Sequence, residues 1–463
     1  MSNSLATRGR IEVPDLPSTS VSWSARHNTV FTTAAATCLT PIAYLIFVAC
    51  YAKNILDADD WSVVPLVDDA LHGHLTLSAL WAQHTDNRML FPNLVFVGLG
   101  NLTRDNTIVV IAFSAAVFIA SYAVFLLLYR SYQPLRPLPV LTIGIVWFSI
   151  ADYQNAIWAF QFAWYLVLFC LVGMLYFLQR GWLVAALALT VIASFSSLQG
   201  LLLWPVGIIW LIWPGWNTRV ARRVVVWLGC ALVTTVVYFW NFNQQSIGLT
   251  WRHSVTLAEF VLVELGEVIP GSSALWLHEL GGLVLLVAAG YVVVQSVRHH
   301  LECLPVALIA FGLLFDGIIA LGRVEYALFA SLRVTATPSR YTMPNLLILL
   351  AVVAYAWAHT KWKWVVAALV ACQLVVATAS GLTSSSAIDQ HLVTGARFAV
   401  NLDKIPTAGA ECYRTVGFFD YVYVAAGVNP DRDVALARSD HLSEFSDSQK
   451  YRGFPAIPAC APK

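Results

Sequence analysis

Long apolar segments alternate with short polar ones along most of the chain, and the apolar segments lack the every-second-residue alternation of strands. A helix needs roughly 20 mostly apolar residues to cross a bilayer, where only helices and closed barrels satisfy their own backbone. Continuous apolar runs favour helices over a barrel. The pattern predicts an all-α, polytopic helical membrane protein with about 11 transmembrane helices, at 29–52, 106–129, 137–151, 162–179, 182–197, 200–214, 222–241, 280–297, 304–322, 342–359 and 364–383.

Composition and charge narrow the class of protein. Of the 463 residues, 59% are hydrophobic and 11% are charged, whereas a soluble domain carries about 25% charged residues. The net charge is +1. These values exclude a disordered chain, a disulfide-rich secreted module and a binder of nucleic acid that relies on a basic surface. The lipid bilayer is therefore a predicted partner, and nucleic acid is not.

Basic residues in the short loops set the predicted orientation. If the N-terminus is cytoplasmic, every inside loop contains at least one Lys or Arg, as membrane proteins prefer. The prediction divides the chain into a polar cytoplasmic segment without a cleaved signal peptide (1–28), a transmembrane domain (29–383) and a small extracytoplasmic C-terminal tail domain (384–463). In that tail, Cys412 and Cys460 either form a disulfide or remain free thiols.

One segment, Met89–Leu102, threatens this count because it is apolar but short and contains Pro92. Read as a full span, it would reverse the side of everything after it and put Arg130 and Arg136 outside. The sequence favours an interfacial or re-entrant helix, and the full span is the alternative.

The first outside loop, 53–105, is the densest polar region of the chain. Asp59 and Asp60 follow the first span, and carboxylates this close raise the pKa of one partner, which suits a general base. A solvated helix end is the plainer interpretation. His72, His74 and His84 could hold a divalent metal together with carboxylates, but their spacing matches no zinc pattern. No cofactor is firmly implied.

A second polar patch lies near the outer end of the third predicted span. Asn155, Trp158 and Gln161 offer amides beside an aromatic face, which suits the hydroxyls and ring of a sugar. Trp and Tyr also gather at the interface of any membrane protein, so an aromatic belt is the alternative.

A third patch brackets the last outside loop. Arg323, Arg333 and Arg340 would form a seat for a lipid phosphate, because Arg bonds phosphate in a bidentate manner and stays charged in low dielectric. Each could equally anchor a helix end at the interface. Asp316, inside an apolar run, marks a pathway or a buried partner of one arginine, and the pairing role is favoured.

The long outside loop, 242–279, contains a stretch from Thr256 to Ile269 with three glutamates among apolar residues. That pattern predicts an amphipathic helix on the membrane surface. Such a helix could line a groove for a lipid-linked substrate or merely cover the surface.

Several short phrases follow one another in a characteristic order. They are Asp59-Asp60-Trp61 with Pro65, Gln83-His84 through Arg88 with Phe91-Pro92, Trp158-x-x-Gln161, and Gly322-Arg323 with Ser339-Arg340-Tyr341. These phrases resemble bacterial members of the GT-C superfamily of integral-membrane glycosyltransferases, and the layout is also similar, with seven predicted spans before loop 242–279. Where such proteins have an acidic-His-Arg phrase, this chain has Asp86-Asn87-Arg88.

This resemblance implies inverting transfer of a sugar from a polyprenyl-phosphate donor to a glycan, lipid or protein acceptor, outside a bacterial plasma membrane. It assigns the base to Asp59 or Asp60, with Asp60 slightly favoured. It assigns Arg88, Arg323 and Arg340 to the lipid phosphate and Tyr341 to a hydrogen-bond donor. The remaining substrate-binding residues are His84, Asp86, Asn155, Trp158 and Gln161.

Two other function classes stay open. A transporter or lipid flippase would need polar groups along a path through the bilayer, and Asp316 is the clearest such group in the sequence. A non-catalytic scaffold that anchors the tail would leave the acidic loop and the outer arginines without a purpose.

Overall fold

The computed structural model describes residues 23–243, 254–270, 274–329, 335–404 and 429–453. Within these ranges the protein is almost wholly helical, which confirms the all-α class. The α-helices are α1 (Trp23–Tyr51), α2 (Val64–Leu71), α3 (Leu77–Trp81), α4 (Leu90–Thr103), α5 (Thr107–Arg130), α6 (Pro137–Trp147), α7 (Tyr153–Ile157), α8 (Phe162–Gln179), α9 (Leu183–Ser194), α10 (Leu203–Ile212), α11 (Thr218–Tyr238), α12 (Ser254–Gly266), α13 (Leu275–Arg298), α14 (Cys303–Phe329), α15 (Thr342–His359), α16 (Lys363–Val400) and α17 (Pro430–Ser439).

Short elements connect these helices. Two strands, β1 (Gln83–His84) and β2 (Asn87–Arg88), pair antiparallel in a hairpin within the first loop. Single 3-10 turns lie at Ala58–Ser62, Ile150–Asp152, Ala159–Gln161, Leu198–Leu202, Ser339–Tyr341, Leu402–Lys404 and Ser443–Tyr451.

Nine segments of the described chain are long and apolar enough to cross a membrane. These nine segments agree with the predicted class, a polytopic membrane protein. The segments are Val30–Tyr51, Thr107–Arg130, Pro137–Ile157, Ala159–Gln179, Thr218–Tyr238, Leu275–Arg298, Cys303–Val324, Ser339–His359 and Lys363–Val400.

The predicted spans at 182–197 and 200–214 are instead two short helices, α9 and α10. The 12 residues of α9 extend only about 18 Å, whereas the hydrocarbon core is about 30 Å thick. The turn between them is tight, because a Cβ on Gly200 would overlap the carbonyl oxygen of Ala193. Five long spans and this hairpin therefore precede the loop at 242, in place of seven spans. Removing two successive crossings leaves the side of every later segment unchanged.

The ambiguous segment at 89–102 is helix α4, which has 14 residues. Near its start, the amide of Asn93 donates to the Leu80 carbonyl at 3.0 Å. Just beyond its end, the Arg104 carbonyl accepts from the Ser443 amide at 2.9 Å. Both ends thus contact segments on one side of the bundle, which agrees with an interfacial or re-entrant helix.

Contacts between connecting segments define two faces of the helical bundle. On one face, the Trp158 indole donates to the Asp57 carbonyl at 3.1 Å, and the Ile55 amide donates to Thr107 Oγ1 at 3.1 Å. On the opposite face, the Trp213 indole donates to the Leu301 carbonyl at 2.7 Å. We call the first the first-loop face, comprising residues 52–106, 148–161, 335–341 and 429–453. The other is the basic face, comprising residues 131–136, 180–182, 213–217, 299–302 and 360–362.

The two faces differ in charge. In and beside the short connections of the basic face, Arg and Lys greatly outnumber acidic residues, of which Glu302 is the one described example, whereas the first-loop face carries both acidic and basic side chains. The basic set is Arg130, Arg136, Arg180, Arg219, Arg222, Arg223, Arg298, Lys361 and Lys363.

The stretch from Thr256 to Ile269 was predicted to form an amphipathic helix on the membrane surface. It forms helix α12, but this helix is packed into the bundle. Its second half is buried against α13, where glycine permits close approach, since a Cβ on Gly282 would overlap the Leu262 carbonyl. Glu264 and Glu267 are 0% and 4% exposed. The polar face of this helix therefore points into the bundle. The same periodicity fits both locations, so sequence alone could not separate them.

The predicted start of the tail domain at 384 falls inside α16, which has 38 residues. Composition changes there, but the helix continues, and Asp389 forms an ion pair with Lys53 at 3.1 Å. Residues 429–453 then lie on the first loop, where the Leu56 amide donates to Glu444 Oε2 at 3.0 Å. Cys412 and Cys460 lie outside the described residues.

Candidate functional site

The acidic turn of the site, residues 57–62, follows directly after α1. Asp57 has extended backbone and precedes the 3-10 turn Ala58–Ser62. The Asp57 amide donates to Asp60 Oδ2 at 3.0 Å, so Asp60 caps the turn. Ala58 has φ 46°, a left-handed conformation that costs energy for a residue with a Cβ and that often occurs at functional sites.

Asp60 is the more enclosed member of the predicted pair. It is 4% exposed, and burial raises the pKa of its carboxyl well above the ordinary value. The neighbouring Trp61 is 2% exposed and packs edge-on against Phe445. In this arrangement the Asp60 carboxyl supports the turn and faces the interior.

Asp59 is reachable and carries a histidine partner. Its carboxylate lies 3.3 Å from His84 Nε2, and the two side chains are 26% and 14% exposed. The β1–β2 hairpin presents His84 to Asp59, and Phe160 packs against the imidazole with ring centroids 4.9 Å apart. A carboxylate and an imidazole at this distance are able to share or exchange a proton.

Asp57 was not among the predicted site residues, yet it faces both Asp59 and Arg340. Burial and then the Asp59 carboxylate raise the pKa of Asp57 to about 6, while the Arg340 guanidinium acts in the opposite direction. The adjacent pair Asp59-Asp60 drew the prediction, because spacing along the chain does not reveal which carboxyl turns inward. The one signal for Asp57 in the sequence was its position directly before the short turn Ala58–Ser62.

Arg340 is the basic group of the site, and an aromatic platform holds it. Its guanidinium carbon lies 5.6 Å from the Trp158 ring centroid and 4.8 Å from that of Tyr341. The Trp158 indole in turn donates to the Asp57 carbonyl. Trp158 therefore links the acidic turn to the arginine, although about 180 residues separate Trp158 from Arg340 in the sequence.

The side-chain amides of Gln154 and Asn155 hold the backbone of Arg340. Asn155 Nδ2 donates to the Arg340 carbonyl at 2.9 Å and to Asp152 Oδ1 at 2.7 Å. Gln154 Oε1 accepts from the Arg340 amide at 3.2 Å. Asn155 is 1% and Gln161 5% exposed. Their predicted contact with a sugar stays a prediction, and the contacts described are those of positioning residues.

Arg88 is occupied by the protein itself. Its guanidinium donates to the carbonyls of Trp81, Tyr238, Trp240 and Asn241 at 2.8–3.4 Å, and it lies over the Trp81 ring. These bonds tie the β1–β2 hairpin to the end of α11. Binding of phosphate by Arg88 stays a prediction.

Asp86 and Asn87, which precede Arg88, also attach the β1–β2 hairpin to neighbouring elements. Asn87 Oδ1 accepts from the Leu198 amide at 2.9 Å, which joins the hairpin to the turn between α9 and α10. The Asp86 carbonyl accepts from the Tyr238 hydroxyl at 2.9 Å. Asn87, whose role the sequence left open, thus has a structural contact.

Of the other two arginines predicted to bind a lipid phosphate, the structure describes Arg323. Arg323 is exposed near the end of α14, and its role in binding phosphate stays a prediction. Arg333 lies outside the described residues.

Trp81, Val237 and Trp240 line a cleft of about 300 Å³ beside Arg88.

The favoured pairing of Asp316 with an arginine is not seen among the described residues, and Arg333 lies outside them. Asp316 is 0% exposed, and neither carboxyl oxygen has a hydrogen-bond partner among the described residues. The Glu264 carboxyl interacts electrostatically with that of Asp316, and its oxygens also lack a hydrogen-bond partner there. Glu267, beside them, forms an ion pair with His278 at 3.1 Å.

Geometry brings Asp57, Asp59, His84, Trp158 and Arg340 together on the first-loop face. No family model matches the chain, and neither a curated protein nor a solved structure shows detectable similarity to it.

Proposed function

We propose that this protein is a membrane glycosyltransferase of the GT-C type, which transfers a sugar from a polyprenyl-phosphate donor to a glycan, lipid or protein acceptor. The first-loop face would be extracytoplasmic, because the short connections of the opposite face are rich in Arg and Lys and nearly free of acidic residues. The N-terminus would then be cytoplasmic and the C-terminus extracytoplasmic, in a bacterial plasma membrane.

The observation that carries this proposal is the meeting of acidic and basic groups around Trp158. Trp158 contacts both the acidic turn and Arg340, and the charges of Asp59 and Arg340 both act on the pKa of the Asp57 carboxyl. Transfer from a phosphate-linked sugar needs a base for the acceptor and a cation for the leaving phosphate. Both groups are present on one face, at the edge of the apolar bundle.

In the proposed reaction, Asp59 takes the proton of the acceptor hydroxyl, and His84 orients the carboxylate. The acceptor oxygen attacks the anomeric carbon from the side opposite the phosphate, which inverts the configuration. The bond from the anomeric carbon to the phosphate oxygen breaks, and that oxygen keeps the electron pair. Arg340 stabilises the charge that develops on the polyprenyl phosphate.

A lipid-linked donor fits the surroundings of the site. The cleft lined by Trp81, Val237 and Trp240 is apolar, and the Trp240 side chain is 68% exposed. Its walls include the last turn of α11, which lies among the candidate spans. A polyprenyl chain in this cleft would leave the bilayer beside the hairpin that carries His84.

The test is release of free polyprenyl phosphate by purified protein given a short-chain polyprenyl-phosphate sugar and a panel of acceptors. Asp59→Asn should lower the rate by about 10²–10⁴-fold, the usual contribution of a general base. Asp69→Asn, in the same loop but outside the site, is the matched control. Full activity of Asp59→Asn, with correct insertion of the protein, would reject the assignment.

A proton- or cation-coupled transporter is a second candidate, favoured by the carboxyl pair Glu264 and Asp316 inside the bundle. Ionisable groups buried among spans commonly serve ion pathways. If this candidate holds, Glu264→Leu abolishes the activity of the protein. Glycosyl transfer on the first-loop face does not require Glu264.

A further inference from the structure

A second cluster of acidic and histidine side chains lies away from Arg340, where α2 meets the C-terminal segment. Asp68 and His72 are one helical turn apart at the end of α2, and Asp440 follows α17. His72 Nδ1 lies 3.3 Å from Asp68 Oδ1 and 3.8 Å from Asp440 Oδ2. One ligand atom from each residue lies within 4.8 Å of the other two, the one such trio of metal-ligating residues in the described parts of the chain.

The hydrogen bonding of the Asp440 carboxyl is an independent observation that points to a bound cation. Its side chain is 10% exposed, and the buried Oδ2 accepts no hydrogen bond from any described residue. Asp440 also acts on the like-charged Asp68, because burial and then the Asp440 carboxyl raise the pKa of Asp68. Two carboxyls that disfavour each other's ionised form, with one oxygen left without a donor, would be stabilised by a cation between them.

We infer that Asp68, His72 and Asp440 bind a divalent transition-metal ion, with Zn²⁺ the best match and Mn²⁺ the next. An imidazole with carboxylates suits these ions better than Ca²⁺ or Mg²⁺, which prefer oxygen ligands alone. Bonds of about 2.0–2.2 Å to one ion place its ligand atoms within about 4.4 Å of each other, so small side-chain movements suffice. His72 is 54% exposed, which leaves a coordination position open to solvent.

The ion would fasten the C-terminal segment to the loop that carries the acidic turn. Three residues after Asp440, Ser443 accepts through its carbonyl from Asn54 Nδ2 at 3.0 Å. Glu444 and Phe445 then contact Leu56 and Trp61. A clamp at Asp440 therefore restrains the stretch of chain that packs beneath the acidic turn.

The experiment measures Zn²⁺ uptake by the full chain in detergent after removal of metals with a chelator, by equilibrium dialysis and metal analysis. We expect about one tightly held ion per chain in a three-ligand site. His72→Ala should weaken binding by at least about tenfold, since even outer-shell partners are worth about 10–100-fold in metal affinity. His74→Ala, two residues away and also exposed, is the matched control and should bind as the unaltered protein does.

Asp440→Asn keeps the shape of the side chain and should reproduce the loss, with Asp69→Asn as its control. A second readout is the unfolding temperature, which Zn²⁺ should raise in the unaltered protein and in His74→Ala but not in His72→Ala. Absence of uptake by the unaltered protein would overturn the inference and leave a protonated His72 between two carboxylates. Equal binding by His72→Ala and His74→Ala would overturn it as well. Neither readout involves a sugar donor, so the result is independent of glycosyl transfer.

Discussion

Two groups of carboxyls occupy opposite electrostatic situations in this protein. On the first-loop face, Asp59 contacts His84, and Asp57 lies near Arg340. Inside the bundle, Glu264 and Asp316 are fully buried and lack hydrogen-bond partners within the described ranges. The first group has basic partners and partial exposure, whereas the second has neither.

The difference separates the chemistry that each group suits. A carboxylate with a basic partner and solvent access can ionise, meet a substrate and exchange a proton with it. A buried carboxyl without a partner is costly when charged, so it persists as a neutral acid or with a cation. The first-loop face is therefore the better location for transfer chemistry, and the buried pair is the better location for coupling to an ion.

Replacement of Arg340 tests the first group and should have the largest effect. Arg340→Gln removes the positive charge opposite the leaving phosphate, and we expect kcat/KM to fall by about 10²–10³-fold, as when a transition-state donor is lost. Arg340→Lys should recover part of the rate, because the charge remains but the planar fork is lost. Arg298→Gln, on the basic face, is the control. The measurement is the initial rate of polyprenyl phosphate release.

The buried pair should respond in the opposite sense. Glu264→Leu replaces a carboxyl without a partner by an apolar group, and we expect a gain in stability of about 1–3 kcal/mol, the usual penalty of a buried unsatisfied polar group. Thermal unfolding in detergent measures it, with the exposed Glu259→Leu as control. Lower stability, or loss of transfer in Glu264→Leu, would show that the pair has a partner or a role at the reacting centre.

The smallest expected effect is a change of stability with pH. Burial raises the pKa of Asp105 from 3.8 to about 7, and burial raises that of Glu444 from 4.5 to about 7. The folded protein then holds more protons than the unfolded chain between about pH 4 and pH 7, so stability falls as pH rises through this window and is lowest above it.

Unfolding temperatures at pH 5 and pH 8 check this sign. For a chain of 463 residues, each kcal/mol of stability shifts the unfolding temperature by roughly 1 °C. Asp105→Asn should raise the unfolding temperature at pH 8 more than at pH 5, because it removes the cost of charging a buried acid. Asp69→Asn should leave the profile unchanged. A protein more stable at pH 8 than at pH 5 would contradict the stated directions.

The sequence predicted most of the bundle because apolar length alone decides which helices can cross a bilayer. Its count includes α9 and α10, whose apolar composition matches that of a span but which are shorter than the nine candidate spans of the described chain. It placed α12 on the surface because a periodic pattern of glutamates does not tell whether water or protein faces them. Glu264 and Glu267 face protein.

The candidate site was predicted only in part, for a related reason. Local sequence singled out Asp59, His84, Trp158 and Arg340, which the structure brings together, since each belongs to a short polar phrase beside an apolar run. It could not choose between Asp59 and Asp60, because the backbone turn at Ala58 directs one outward and the other inward. It also did not single out Asp57, whose carboxyl interacts electrostatically with Arg340, a residue far away in the sequence.

The most direct measurement is a double-mutant cycle on Asp59 and Arg340, read as kcat/KM for polyprenyl phosphate release by Asp59→Asn, Arg340→Gln and the double variant. If both groups act on one reacting centre, the double variant should lose little more than the worse single variant, as for residues that act as a unit. Losses that simply multiply would contradict a shared centre, and a full rate in Asp59→Asn would contradict the proposed base.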